Sequence, residues 1–111
     1  MSKGEYKIEK VIRDLSIPFY KQYSFKDCKN INKLKFDFYI PKYNCCIEYD
    51  GEQHFKPITF FGGEKQFNKQ QQRDKVKNQY CLNNNINLIR IPYYDYDKID
   101  REYLLKRIQN A

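Results

Sequence analysis

No tryptophan occurs in the 111 residues, there is a single histidine, and no two cysteines stand in Cys-x-x-Cys spacing. Those absences narrow the chemistry. Cys28, Cys45, Cys46 and Cys81 are scattered, and the adjacent pair would point to opposite faces of a strand, which makes poor co-ligands for one zinc ion. Reduced, buried thiols are the expected state. No apolar run approaches the roughly 20 residues a spanning helix needs, and no signal-peptide pattern is present. An intracellular protein without membrane contact is expected. There is neither an internal repeat nor a low-complexity tract, so residues 1–111 are expected to form one domain.

What is present leans basic and aromatic. Lys and Arg number 21 against 14 Asp and Glu, a net charge of +7 that suits a polyanionic partner. Eleven Tyr and eight Phe fill cores and also offer faces on which bases stack. Within this basic chain, residues 34–55, LKFDFYIPKYNCCIEYDGEQHF, form an acidic stretch with four Asp and Glu against two Lys. Two strand-like runs, 34–40 and 45–49, flank the connection Pro-Lys-Tyr-Asn. With that loop at 41–44, Ile40 faces Cys45, Asp37 faces Glu48 and Lys35 faces Asp50. Alternation then puts Lys35, Asp37, Tyr39, Cys46, Glu48 and Asp50 on one face. Leu34, Phe36, Phe38, Ile40, Cys45, Ile47 and Tyr49 take the other, as core.

Carboxylates facing each other repel by a fraction of a kcal/mol or more. Asp37, Glu48 and Asp50 meeting from adjacent strands form a site for a hard divalent ion, Mg²⁺ or Mn²⁺, which prefers oxygen ligands. The alternative is a half-solvated hairpin whose outer face is simply charged, with Lys35 paired to Asp50. The continuation Gly51-Glu52-Gln53-His54 favours the site, because the one histidine follows the last strand acid by four residues.

Around this centre, residues 2–15 read as a helix with the stripe Ile8, Val11, Ile12 and Leu15. Ser2 and Glu5 match a capping box. Glu5 also borders the core-facing stripe, so it is open to a role as cap, as site residue, or as both. Residues 17–25 read as a first strand, 26–33 as a turn and 56–63 as a loop. Residues 64–83 read as a polar helix carrying Asp74, Lys77 and Cys81 on one face, 86–92 as a buried strand, and 99–109 as a last helix. Arg90 interrupts the buried strand and needs an anion, either a protein carboxylate or a DNA phosphate. The order helix, three strands, helix, strand, helix implies an α+β domain with a mixed sheet covered by helices.

These residues resemble the PD-(D/E)xK, or restriction-endonuclease-like, nuclease superfamily, and within it the branch of the very short patch repair endonucleases and related homing endonucleases. The likeness spans residues 2–93 and is carried by Ser2-Lys3-Gly4-Glu5, Phe36-Asp37-Phe38, Ile47 to His54, Asp74 with Lys77, and Leu88 to Ile91. It implies an αβββαβ core with the 99–109 helix appended. It also implies that Asp37 is the first metal ligand and that Glu48 and Asp50 are the second-strand acids. Glu5 corresponds to the helical glutamate of the branch and Asp74 to its downstream aspartate. The superfamily's lysine two residues after the second acid is Asp50 here, so Lys35 or Lys77 would take its part. The zinc-binding cysteines of the repair enzymes are not matched.

The expected activity is Mg²⁺- or Mn²⁺-dependent hydrolysis of DNA phosphodiesters, on duplex or branched DNA. The ion is expected on Asp37, Glu48 and Asp50, with His54 or a carboxylate-held lysine handling the attacking water and Glu5 in support. Gln53, Lys56, Lys65, Arg73, Lys77 and Arg90 are candidates to hold the DNA backbone. A homodimer making paired cuts is left open. The competing expectation is a nucleic-acid-binding module with the same fold and no catalysis.

Overall fold

Two apolar clusters, one on each side of a four-stranded sheet, organise the chain in this computed structural model, which describes residues 1–110. Helix α1 (Lys3–Asp14) buries Ile8, Val11 and Ile12 at the spacing of one helical face. Its start is fixed by the anticipated capping box: the Glu5 amide donates to Ser2 Oγ at 3.2 Å, and the Ser2 amide to Glu5 Oε2 at 2.7 Å. Gly4 lets the helix settle on the sheet, since a Cβ there would lie 2.2 Å from the Tyr49 ring.

Strands β1 (Tyr20–Lys29), β2 (Lys33–Ile40) and β3 (Cys45–Asp50) run antiparallel in sequence, and β4 (Asn87–Pro92) lies parallel to β3 at the sheet edge. Helix α2 (Gly63–Asn83) is the crossover that a parallel pair requires. Helix α3 (Arg101–Gln109) closes the α1 side, capped by Asp100, which accepts the Tyr103 amide at 2.8 Å. The α+β expectation and its helix–three strands–helix–strand order therefore hold. No helix among the described residues is long and apolar enough to cross a membrane.

Several boundaries differ from the sequence reading. β1 starts at Tyr20, not Ile17, and continues through residues 26–29, so the expected turn shrinks to the tip around Asn30–Asn32. The intended hydrophobic face of β2 is split. Phe38 and Ile40 pack with α1 and α3 residues, whereas Leu34 and Phe36 pack with Cys81 of α2. Alternation breaks at Asp37, and Gln22 across from that point in β1 has a positive φ of 50°. The β2–β3 register agrees with expectation at Ile40–Cys45, Tyr39–Cys46 and Phe38–Ile47, and there the pairing ends. Lys35 consequently does not face Asp50; it pairs with Ser24 of β1. The connection after β3 contains short 3-10 turns at Glu52–His54 and Thr59–Phe61, and Gly62, with φ 93°, supplies the left-handed entry to α2.

Candidate functional site

The strands β2 and β3 part where two acidic side chains insert between them. Asp37 Oδ2 accepts the Tyr49 amide at 2.8 Å, and the Asp37 amide donates to Glu48 Oε2 at 3.2 Å. Each carboxyl group thus replaces a backbone ladder bond with a side-chain one. Glu48 is almost fully buried, and its other oxygen, Oε1, accepts from the ammonium of Lys77, itself buried on α2 and lying over the Phe36 ring. Burial first, and then the neighbouring Glu48 charge and hydrogen bonding with Glu5 and Glu48, pushes the Asp37 carboxyl up to about 9; the Tyr49 amide works in the opposite direction. Glu5 accordingly serves both as helix cap and as a neighbour of Asp37.

A second group stands beside the first. Asp50, also buried, binds Arg90 Nη1 through both oxygens at 2.9 and 3.2 Å, and its Oδ1 lies 3.5 Å from His54 Nδ1. His54 Nδ1 is closer to Asp74 Oδ2, at 3.0 Å. Gln71 holds the His54 backbone carbonyl at 2.7 Å, and Gln70 holds Asp74 Oδ1 at 3.1 Å. Burial raises the Asp50 carboxyl above its usual range despite Arg90 and His54. For Asp74, burial also pushes upward, but the His54 hydrogen bond and the Arg90 and His54 charges outweigh it and leave the carboxyl low.

Both groups border one cleft of about 490 Å³, whose lining includes Glu5, Asp37, Glu48, Gln53, His54 and Lys77. A larger hollow of about 880 Å³ beside the α1–β1 connection has no carboxylate or imidazole in its lining, so it offers no comparable chemistry. The expected three-acid convergence is not formed. Asp37 and Glu48 meet, whereas Asp50 is taken by Arg90. Among the described residues, no three His, Cys, Asp or Glu side chains are grouped closely enough to hold an ion together.

The candidate backbone-binding residues divide as well. Gln53, Arg73 and Lys77 line the cleft. Arg90 has a protein carboxylate as its anion and also donates to Asn78 Oδ1 at 2.9 Å. Lys56 pairs with Glu52 at 2.8 Å, and Lys65 is exposed on the first turn of α2, outside the cleft lining. Of the two stand-ins for the absent lysine, Lys77 reaches Glu48, while Lys35 lines the cleft without a carboxylate partner within 4.0 Å among the described residues. Sequence reasoning missed Gln70 and Gln71. The signal was available in part, because Gln70, Asp74 and Asn78 recur every four residues on α2 and so share a face. The four cysteines are free and buried, as expected.

Part of the chain is similar to viral proteins. Uncharacterized protein 307L of Invertebrate iridescent virus 6 is 45% identical over 67 residues, which is 59% of this chain and 34% of that protein. Uncharacterized protein 094L of Frog virus 3 (isolate Goorha) is 37% identical over 62 residues, 54% of this chain and 40% of that protein. Uncharacterized protein 033L of Invertebrate iridescent virus 3 is 36% identical over 63 residues, 56% of this chain and 32% of that protein. The matched segments thus span between about a third and two-fifths of these relatives. No family model matches the chain. No solved structure matches it either.

Proposed function

We propose that this chain is a metal-dependent endonuclease of the PD-(D/E)xK kind, hydrolysing DNA phosphodiester bonds in the cleft between β2, β3 and α2. The observation that carries the reading is the Asp37–Glu48 pair wedged between parting strands, with Lys77 against Glu48 and a carboxylate-held histidine on the same cleft. Two adjacent carboxyl groups, Glu48 buried and Asp37 half-buried, of which Asp37 is driven to hold a proton, form a donor set short of positive charge. That set fits a Mg²⁺ or Mn²⁺ ion, since Mg²⁺ commonly takes one or two protein carboxylates and completes its shell with water and substrate phosphate. Asp37 and Glu48 would hold it; when bound, it would offset charge on the phosphate oxygens and acidify water.

The chain's own groups supply the rest. With Nδ1 hydrogen-bonded to Asp74, His54 leaves Nε2 as a lone-pair acceptor, suited to take a proton from water. Gln71 and Gln70 fix the His54 backbone and Asp74, respectively, and so limit rotation of the pair. Lys77 balances the Glu48 charge and, lining the cleft, would supply an ammonium to a phosphate bound there. Arg90 and Asp50 neutralise one another, and Gln53, which lines the cleft, would donate to phosphate.

The test is nicking of supercoiled plasmid with Mg²⁺ or Mn²⁺. Cleavage that disappears on chelation and in Asp37→Asn and Glu48→Gln supports the reading. Cleavage surviving both substitutions, or none with either ion, overturns it. The second reading is a non-catalytic nucleic-acid-binding module. It is favoured by the prior engagement of Glu48 with Lys77 and of Asp50 with Arg90, which leaves no ready three-acid group. It predicts DNA binding without cleavage under any divalent ion.

A further inference from the structure

The β1–β2 hairpin runs past the point where β3 leaves it. Pairing of β1 with β2 continues to Lys29–Lys33, whereas β2 and β3 pair only as far as Phe38–Ile47. Residues 33–36 of β2 therefore have a strand partner on one side and the cleft on the other. Leu34 and Phe36 are buried against Cys28 and Cys81, which seats the segment firmly. Lys33 and Lys35 alternate with them, are exposed, and line the cleft that holds Asp37 and Glu48. Neither lysine has a carboxylate within 4.0 Å among the described residues; nor does Arg73, the exposed cation that α2 places on the same cleft. By contrast, Lys77, Arg90, Lys56 and Lys21 are all paired.

We propose that this end of the hairpin is a DNA-gripping arm, in which Lys33 and Lys35 bind successive phosphates of the strand entering the cleft. The inference rests on the nuclease reading for what the cleft does, but concerns how the polyanion is held. Two strand residues span about 6.8 Å, a spacing comparable with that of neighbouring phosphates. Contacts from ammonium groups to phosphate carry no base information, so this grip is independent of sequence. It also supplies mobile-counterion release, which makes its contribution readable from salt dependence.

The experiment is fluorescence anisotropy of a labelled DNA duplex titrated with the full chain in EDTA, across a range of salt concentrations. Lys33→Ala/Lys35→Ala is compared with Lys26→Ala/Lys29→Ala, which removes the same charge from exposed positions of the same hairpin outside the cleft lining. Matching melting temperatures establish that both variants fold. Loss of two phosphate contacts lowers the slope of log K against log salt by about 1.8, equivalent to about 60-fold weaker binding at 0.1 M salt relative to convergence near 1 M. That result in the first variant, with a much smaller loss in the second, supports the arm. Equal losses, an unaffected first variant, or no binding by the wild type overturns it. Wild-type cleavage together with full affinity in Lys33→Ala/Lys35→Ala sinks the arm and leaves the nuclease standing. The slope change without cleavage under Mg²⁺ or Mn²⁺ upholds the arm and sinks the nuclease.

Discussion

Replacing Lys77 with methionine isolates the charge balance of the cleft. The Lys77 and Glu48 side chains are 11% and 5% exposed, so the pair belongs with buried ion pairs and not with the surface pairs worth about 0–1 kcal/mol. Lys77→Met keeps most of the packing against Phe36 but leaves Glu48 buried with one remaining donor, the Asp37 amide at 3.2 Å. Breaking such a pair costs about 3–5 kcal/mol. For a domain of this length, 1 kcal/mol shifts the melting temperature by about 4 °C, so the expected loss is about 12–20 °C. The double variant Lys77→Met/Glu48→Gln removes the orphan charge and is expected to recover most of the loss. On the proposed nuclease reading, a divalent cation would do the same by another route. At a concentration of about 100 Kd it stabilises by about 2.7 kcal/mol, and the gain should be larger in Lys77→Met than in the wild type, because the ion replaces the missing ammonium. Scanning calorimetry with and without Mn²⁺ reads all three quantities. A Lys77→Met loss under about 1 kcal/mol, or a double variant as unstable as the single, refutes the buried-pair reasoning.

Asp37 and Gly4 give two further tests. Because the folded Asp37 carboxyl titrates at about 9 against 3.8 for an ordinary aspartate, the folded chain retains a proton that the unfolded chain has lost between those values. Metal-free stability should therefore fall as pH rises through that window, at up to about 1.4 kcal/mol per pH unit, and be unaffected by this group below about pH 4. Asp50, also raised, adds in the same sense, whereas the lowered Asp74 loses its contribution only in acid, as pH falls below its ordinary range. Melting temperatures between pH 6 and 8 should drop in the wild type and flatten in Asp37→Asn; a flat wild-type profile sinks the prediction. Gly4→Ala would gain about 1 kcal/mol from helix propensity alone, yet its Cβ would meet the Tyr49 ring at 2.2 Å. Overpacking of about 1–3 kcal/mol should prevail, giving a lower melting temperature, and a more stable variant would show that α1 is not seated as described.

The residues that sequence reasoning placed well are those whose partners lie within a local repeat. Ser2 and Glu5 are three apart on one helix, and Ile40, Tyr39 and Phe38 meet Cys45, Cys46 and Ile47 across a short connection, so capping and hairpin rules sufficed. The rule failed at Asp37, where a period of two assumes an unbroken ladder. Once Asp37 and Glu48 occupy backbone donors, the strand turns and sends Phe36 to the α2 side while Phe38 stays with α1. Strand β1 was misplaced for a simpler reason. Residues 26–29, Lys-Asp-Cys-Lys, read as a polar turn, but Cys28 is fully buried and β1 runs to Lys29 opposite Lys33.

The assignment of cations to acids was legible only as alternatives, Lys35 or Lys77 for the lysine and carboxylate or phosphate for Arg90, and it decides the character of the site. β4 lies beside β3 in parallel, with Arg90 level with Glu48, so adjacency alone would pair those two. Lys77 reaches Glu48 from α2 instead, and Arg90 extends to Asp50 while also contacting Asn78 and Asp74. One lysine on a helix thereby turns a three-acid pattern into two carboxylates that meet and a third that is neutralised. Two protein carboxylates leave most of an ion's shell to water and phosphate, which is how Mg²⁺ is ordinarily held beside a substrate and not in a protein-built cage. The reading of this chain as a nuclease thus implies that cation affinity in the absence of DNA is weak and that DNA strengthens it. Linkage requires the converse to the same degree, so Mg²⁺ should raise DNA affinity by the factor by which DNA raises Mg²⁺ affinity. Measuring both by calorimetric titration with a His54→Ala chain, expected to be cleavage-deficient, checks this; tight cation binding without DNA, or no mutual enhancement of cation and DNA binding, would place the ion elsewhere than on Asp37 and Glu48.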